Sequence, residues 1–189
     1  MEKFFDSVDQ EVLLGILSRC IKDSISFGLL KEVICSFTSV HNESVGMPIG
    51  NLTSQIFANI YLHELDRFVT HHLKPKSYLR YGDDFILVDP DLDKLKFFRV
   101  QIIDFLENEL KLKLNGGGGM ILNVFQGLKF LGVKIWPNGR KLTKRNLERI
   151  DSRLGNASLS SYYGLMKKHR SEKHIKIFHW MVCEKGLLD

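Results

Sequence analysis

Between positions 9 and 35 apolar side chains return at helical intervals: Val12, Leu13, Ile16, Leu17, Cys20 and Ile21, then Leu29, Leu30, Val33 and Ile34. That rhythm predicts two helices, broken near Gly28. The following stretch, SFTSVHNESVGMPIG, is polar, β-leaning and punctuated by Gly and Pro, which predicts a short hairpin or loop. From Asn51, a good N-cap residue, Leu52, Ile56, Phe57, Ile60, Tyr61, Leu65, Phe68 and Val69 form a wide apolar stripe, so this helix is expected to pack onto a sheet.

Positions 78–81 and 85–88 are aromatic and β-branched, with Gly82 and two adjacent acids between them. Gly-Asp is a recognised two-residue hairpin signal, so this segment predicts strand, tight turn, strand. A helix is expected over 93–112. NGGGGM interrupts the chain, ILNVFQGLKFLGVKIW resumes as strand, and PNGRKL is a turn. Thr143 then offers an N-cap for KRNLERIDSRL, whose Leu147, Ile150 and Leu154 share one face, and two more helical stretches follow. The order of elements predicts an α+β fold.

Composition adds limits. At 189 residues and 44% hydrophobic the chain can bury a core. No apolar run approaches the ~20 residues of a membrane span, and MEKFFDSVDQ lacks the order of a secretory signal, so a cytoplasmic protein with no membrane partner is expected. Three cysteines, Cys20, Cys35 and Cys183, show no metal or disulfide spacing and are expected to be reduced, mostly buried thiols. Charge is uneven: from Asn138 onward stand 12 of the 27 Lys and Arg but only 5 of the 22 Asp and Glu. A mildly acidic body with a basic C-terminal flank suits a cation-holding site beside a polyanion.

Asp83 and Asp84, side by side at a hairpin tip, repel each other unless a cation or backbone donors stabilise them. A divalent metal is the economical solution, because two Mg²⁺ ions ~4 Å apart can activate one oxygen and stabilise another in phosphoryl transfer.

The order Tyr81-Gly82-Asp83-Asp84 in strand–turn–strand, preceded by GMPIGNLTSQIFANIYLHELD, resembles reverse transcriptases. EKFFDSVD looks like the family's first palm motif, GMPIGNLTSQIFANIYL its second, YGDDF its third, LKFLG the loop that steadies the primer end, and GVKIWPNGRKLTKRNLERI the passage into the thumb. The resemblance implies an RNA-directed DNA polymerase with a right-hand palm, an antiparallel sheet with helices on one face. It implies palm over 1–137, the start of a helical thumb over 138–189, and fingers absent from this chain. Implied site residues are Asp83 and Asp84 for catalysis and Mg²⁺, with Mn²⁺ an alternative metal. Phe5, Ile49, Gly50 and Gln55 are implied for the nucleotide, and Tyr81, Leu131, Gly132, Arg140, Lys144 and Arg145 for primer and template. Implied partners are an RNA template, a DNA or RNA primer, dNTPs and a small basic accessory protein.

Ile49 before the glycine and Ser54-Gln55 downstream are similar to diversity-generating retroelement enzymes, relatives of the group II intron and retron types. An apolar residue there offers the incoming nucleotide no polar contact. In the family a metal-binding Asp stands five positions before the aromatic gate. With Phe5 as that gate, the Asp would lie immediately before Met1. The expectation is therefore a truncated or decayed enzyme, and the alternative is an inactive palm–thumb remnant that binds nucleic acid or a protein partner. An RNA-dependent RNA polymerase, prompted by Gly-Asp-Asp, is disfavoured by Phe5. Asp6 and Asp9 are expected to cap the helix at QEVLLGIL. Lys111 and Lys113 precede the glycines, but the family's pyrophosphate proton donor has no assigned residue.

Overall fold

The computed structural model describes residues 1, 3–37, 44–47, 52–116, 118–168 and 172–187, in two compact units, Met1–Ile121 and Leu122–Asp189. In the first unit a short turn, α1 (Phe4–Ser7), leads to α2 (Gln10–Cys20) and α3 (Ser24–Cys35). The Asp9 carboxylate accepts the Val12 N–H at 3.0 Å, the capping role expected of it, whereas Asp6 lies within α1. Two helices are present, but the break falls at 21–23 and Gly28 lies inside α3. The reason is local: Asp23 accepts the Ser26 N–H at 2.7 Å and starts α3 ahead of the glycine, whose mid-helix cost is only ~1 kcal/mol.

The polar stretch after α3 falls mostly outside the described residues, as do Asn51, Ile49 and Gly50. Its described part is tied to the start of the chain: Val45 bridges Asp9, and the Gly46 N–H donates to the Val8 carbonyl at 2.7 Å. α4 (Leu52–Arg67) ends in a π-helical turn, Phe68–Leu73. Phe57, Tyr61, Leu65 and Val69 face the core, while Leu52 and Ile56, expected on the same stripe, are exposed. Tyr61 donates its hydroxyl to the Leu110 carbonyl at 2.7 Å, which satisfies a buried polar tip. α5 (Leu92–Asn108) begins at Asp91, whose carboxylate accepts from Asp93 and Lys94 N–H. It stops short of the expected 112 because the chain, with Lys111 at φ 51°, turns to bury Leu110 and Leu112.

Strands β1 (Ser77–Tyr81) and β2 (Asp84–Val88) pair antiparallel in the register Tyr81↔Asp84. Tyr78, Phe85 and Leu87 pack toward the α2–α4–α5 core, while Leu79, Tyr81 and Val88 on the other face are exposed.

In the second unit the stretch expected as one strand is two, β3 (Leu128–Phe130) and β4 (Val133–Trp136), folded back at Leu131-Gly132. β5 (Gly139–Leu142) completes an antiparallel meander of order β3-β4-β5. Helices α6 (Lys144–Arg153), α7 (Leu159–Lys168) and α8 (Glu172–Glu184) follow. Leu142, Ile150, Leu154, Met166, Phe178 and Val182 form a separate core there. The whole is α+β, as expected. The cysteines depart from expectation: all three are free and exposed, since each sits in the last turn of its helix. No helix among the described residues is long and apolar enough to cross a membrane.

Candidate functional site

The hairpin is closed by Gly82 and Asp83 alone. Gly82 has φ +60° while Asp83 does not have a positive φ, the combination a type II′ turn uses, and Gly at its first central position avoids a Cβ clash. The turn therefore presents Asp83 at its tip and Asp84 as the first residue of β2.

A charged clamp that no sequence pattern reveals holds this turn from behind. Arg80 on β1 grips Asp66 on α4 with two parallel bonds, Nη2 to Oδ2 at 2.6 Å and Nε to Oδ1 at 2.7 Å. Tyr78 donates its hydroxyl to the same carboxylate at 2.8 Å. The remaining arm of Arg80, Nη1, reaches forward to the Gly82 carbonyl at 2.9 Å. The guanidinium thus connects the helix to the peptide that precedes Asp83. Strand alternation does set Tyr78 and Arg80 on one face, but nothing in the sequence marks their shared partner, 12 to 14 residues earlier in the chain.

Burial alone would raise the Asp66 carboxyl, but hydrogen bonds from Arg80 and Tyr78 together with the Arg80 charge outweigh it and hold its pKa below the usual carboxylate range. A depressed folded-state pKa stabilises the fold fully above the unfolded value, here 3.8, and that contribution is lost as pH falls through the lower folded value. Acid denaturation of Asp66→Asn is accordingly expected to lose the part of its pH dependence below about pH 4 that Asp66 supplies. Parallel acid titrations by circular dichroism check this. Identical acid limbs in the two proteins contradict it.

Asp83 is 42% exposed at its side chain and its Oδ2 lies 3.4 Å from the Met1 α-ammonium; Asp84 is exposed. The chemistry fits a hard divalent cation: both donors are carboxylate oxygens open to solvent, and a positive group is accommodated beside one of them. No group of three or more His, Cys, Asp or Glu is gathered for a metal among the described residues. The two acids thus form an open pair, suited to Mg²⁺ that shares its shell with water and substrate phosphates.

The other sequence-selected residues of the first unit take varied positions. Phe5 is half-buried, packs edge-on against Phe4 with ring centres 5.3 Å apart, and accepts the Met47 N–H at its carbonyl, 2.7 Å. Phe5 is thereby fastened to the described segment that precedes Ile49 and Gly50 in the chain. Gln55 is exposed on the first turns of α4, and Tyr81 is 67% exposed at the end of β1. An open cleft of about 370 Å³ gathers Lys3, Lys111 and Lys113 around Asp6 and Asp9.

In the second unit Leu131 and Gly132 both have positive φ, +48° and +76°, as a type I′ hairpin turn requires. Leu131 is a bulky residue in a sparsely allowed conformation, and the turn is held from outside: the Thr143 N–H and Asn146 Nδ2 donate to the Gly132 carbonyl at 3.0 and 3.1 Å. A methyl group on Gly132 would overlap the Asn146 amide. Gly132→Ala is expected to cost about 1–2 kcal/mol through φ and this overlap; denaturant midpoints measure it, and an unchanged midpoint contradicts it. Arg140 donates to the Lys168 carbonyl at 3.1 Å, Lys144 lies 3.6 Å from Glu148, and Arg145 is exposed.

No protein-family profile matches the chain. Among curated proteins it is similar to the group II intron-encoded protein LtrA of Lactococcus lactis subsp. cremoris, 25% identical over 232 aligned residues that take in 88% of this chain and 39% of LtrA. Protein YkfC of Escherichia coli strain K12 is 26% identical over 71% of this chain and 45% of its own length. An uncharacterized 91 kDa protein in the cob intron of Schizosaccharomyces pombe is 38% identical over 34% of this chain and 9% of its own. The chain therefore spans less than half the length of the curated relatives it matches. Matches to intron-encoded proteins reach across most of the chain and its acid pair stands at the tip of a hairpin, a likeness that supports the reverse transcriptase family.

Proposed function

We propose that the chain serves RNA-templated DNA synthesis by nucleotidyl transfer as part of a reverse transcriptase, weakly active or inactive by itself, residues 1–137 serving as a palm and 138–189 as the start of a helical thumb. The observation that carries this reading is the acid pair at a two-residue turn whose leading peptide is fixed to α4 by Arg80. Such a clamp sets carboxylates in advance of substrate binding, which nucleotidyl transfer needs more than any covalent participation by the protein.

In this reading Asp83 and Asp84 hold Mg²⁺, or Mn²⁺ in its place. The metal, when bound, supplies positive charge to substrate phosphates and makes an attacking hydroxyl more acidic. Phe5 excludes a ribose 2′-hydroxyl by bulk. Ile49 and Gly50 lie beneath the nucleotide, with Gln55 beside them. Tyr81 and the Leu131-Gly132 turn steady the primer end, while Arg140, Lys144 and Arg145 face the nucleic-acid backbone. The template is RNA and the primer DNA or RNA.

The direct test is primer extension on an RNA template with dNTPs or NTPs and Mg²⁺. Incorporation restricted to dNTPs supports the reading. Salt-sensitive RNA binding without incorporation favours a remnant that binds but does not polymerise, and NTP incorporation favours an RNA polymerase. The diversity-generating branch rests on Ile49. Ile49→Gln, which restores a polar contact, is expected to lower misincorporation about tenfold, the low end of the ~10- to 200-fold discrimination that one small contact supplies; sequencing of extended products measures it, and an equal error spectrum would remove the branch assignment.

A further inference from the structure

Gln10 is only 3% exposed in the first turn of α2, and no periodicity in the sequence gives a buried amide a task there. An amide out of water is costly unless its hydrogen bonds are made. Its Nε2 donates twice, to the Phe37 carbonyl at 2.8 Å and to the Gly46 carbonyl at 3.1 Å. Two carbonyl oxygens can be satisfied only by donors, so the nitrogen and not the oxygen of the amide faces them. One NH₂ group thus spends both hydrogens on two points nine positions apart in the sequence.

The second of those points belongs to a run of contacts with the start of the chain. The Gln10 N–H donates to the Ser44 carbonyl at 3.1 Å, Val45 bridges Asp9, the Gly46 N–H donates to Val8 and the Met47 N–H to Phe5, both at 2.7 Å. Val8 and Met47 are buried in the first unit's core. Gly46 has φ +105°, and a Cβ there would stand 2.7 Å from the Phe37 ring, so the ring packs directly on the Gly46 backbone. The strand-like pairing is one isolated bridge and not a ladder. The Gln10 side chain supplies the closure that a longer pairing would otherwise give.

We propose that Gln10 is a positioning residue for nucleotide binding. By holding Phe37 and Gly46 against the start of α2, it fixes residues 44–47, which precede Ile49 and Gly50 in the chain, relative to Phe5. It thereby sets the affinity for a 2′-deoxynucleoside triphosphate and the preference for it over the ribonucleotide. Gln10 touches no substrate in this account; it acts through the Gly46 carbonyl and the bond from Met47 to Phe5. Without the amide donors the segment holds its place for only a fraction of the time, and the apparent affinity falls by that fraction. The inference deepens the proposed function and rests on it for the roles of Phe5, Ile49 and Gly50, but its test needs no nucleotide incorporation.

The experiment titrates the full chain with dATP and with ATP by calorimetry, in Mg²⁺ and a template–primer duplex whose 3′ end is dideoxy-terminated, and follows amide exchange of Gly46 and Met47 by NMR. Gln10→Met keeps the length of the side chain and removes both donors. It is expected to speed exchange at Gly46 and Met47 and to raise the Kd for dATP by about tenfold, as for a competent fraction near one tenth. The Kd for ATP is expected to rise less, so that the preference for dATP narrows. Gln10→His keeps one N–H donor and is expected to fall between Gln10→Met and the parent. Gly46→Ala disturbs the same segment from the Phe37 side and is expected to narrow the preference too, with an effect that does not add to that of Gln10→Met. Ile102→Ala, buried in the same core but on α5, is expected to lower the melting midpoint and leave both nucleotide affinities unchanged, so lost stability cannot imitate the result. Unchanged exchange in Gln10→Met, faster exchange with an unchanged dATP preference, an equal loss in Ile102→Ala, or a parent that binds neither nucleotide overturns the inference. Affinity for dATP that depends on Gln10 in a chain that extends no primer upholds this inference and sinks the synthesis reading alone; extension with an affinity indifferent to Gln10 does the reverse.

Discussion

Asp83→Asn is expected to lower RNA-templated primer extension by about a thousandfold or more, some 4 kcal/mol on the barrier. Asn keeps the size of the side chain and its place in the turn, but it removes one of the two negative charges that would hold Mg²⁺ at the hairpin tip. The structural cost is small, because the partner of Asp83 is the Met1 ammonium at a long 3.4 Å in a part-buried pair whose carboxylate side is 42% exposed, and pairs open to water contribute about 0–1 kcal/mol. Activity and stability should therefore separate: extension disappears while the melting midpoint shifts by no more than a few degrees. Extension that survives in Asp83→Asn would falsify the polymerase assignment of this residue. Asp84→Asn is expected to behave in the same way, since the Asp84 side chain opens directly to solvent.

Arg80→Ala is expected to show the opposite coupling, with stability and activity falling together. The guanidinium is the partner of an Asp66 carboxylate that is only 24% exposed, and its own side chain is 13% exposed. Removing one member of a buried ion pair costs about 3–5 kcal/mol; with this degree of solvent access about 2–3 kcal/mol is expected. Tyr78 would still donate to Asp66 and keep part of the interaction. The Gly82 carbonyl would lose its hold, and the turn carrying Asp83 would be free to shift, at an expected cost of about a hundredfold in rate for a displacement near 1 Å. Arg80→Lys restores the charge but not the fork, so it should recover stability in part and activity less. Urea midpoints and primer extension on the same preparations make the comparison. A variant as stable and active as the parent would show that the clamp does not position the turn.

The hairpin is legible in the sequence because its signals are local: alternating apolar residues on both sides and Gly-Asp between them. The strands predicted at 78–81 and 85–88 correspond to β1 and β2 within one residue. The helix break falls before Asp23 and not at Gly28 because glycine is a weak interruption and an aspartate cap a stronger one. The FLG stretch reads as continuous strand by its composition, since a leucine at positive φ is not anticipated from propensity. Only bonds from Thr143 and Asn146, eleven and fourteen residues later, make that turn hold.

Periodicity, turn chemistry and composition act over a few neighbouring residues, and they suffice for the α+β order of elements, the hairpin with its paired acids, and the basic character of the C-terminal quarter. Other features arise only when distant segments meet. Arg80 ties Asp66 to Gly82, the cysteines come to lie exposed, and Lys129, Lys134 and Lys141 stand in one row through folding alone. Strand register is the physical reason for the last of these: a shift of one residue would send each lysine to the other face, and what forbids the shift is the burial of Leu142 and Val133 against the helices that follow.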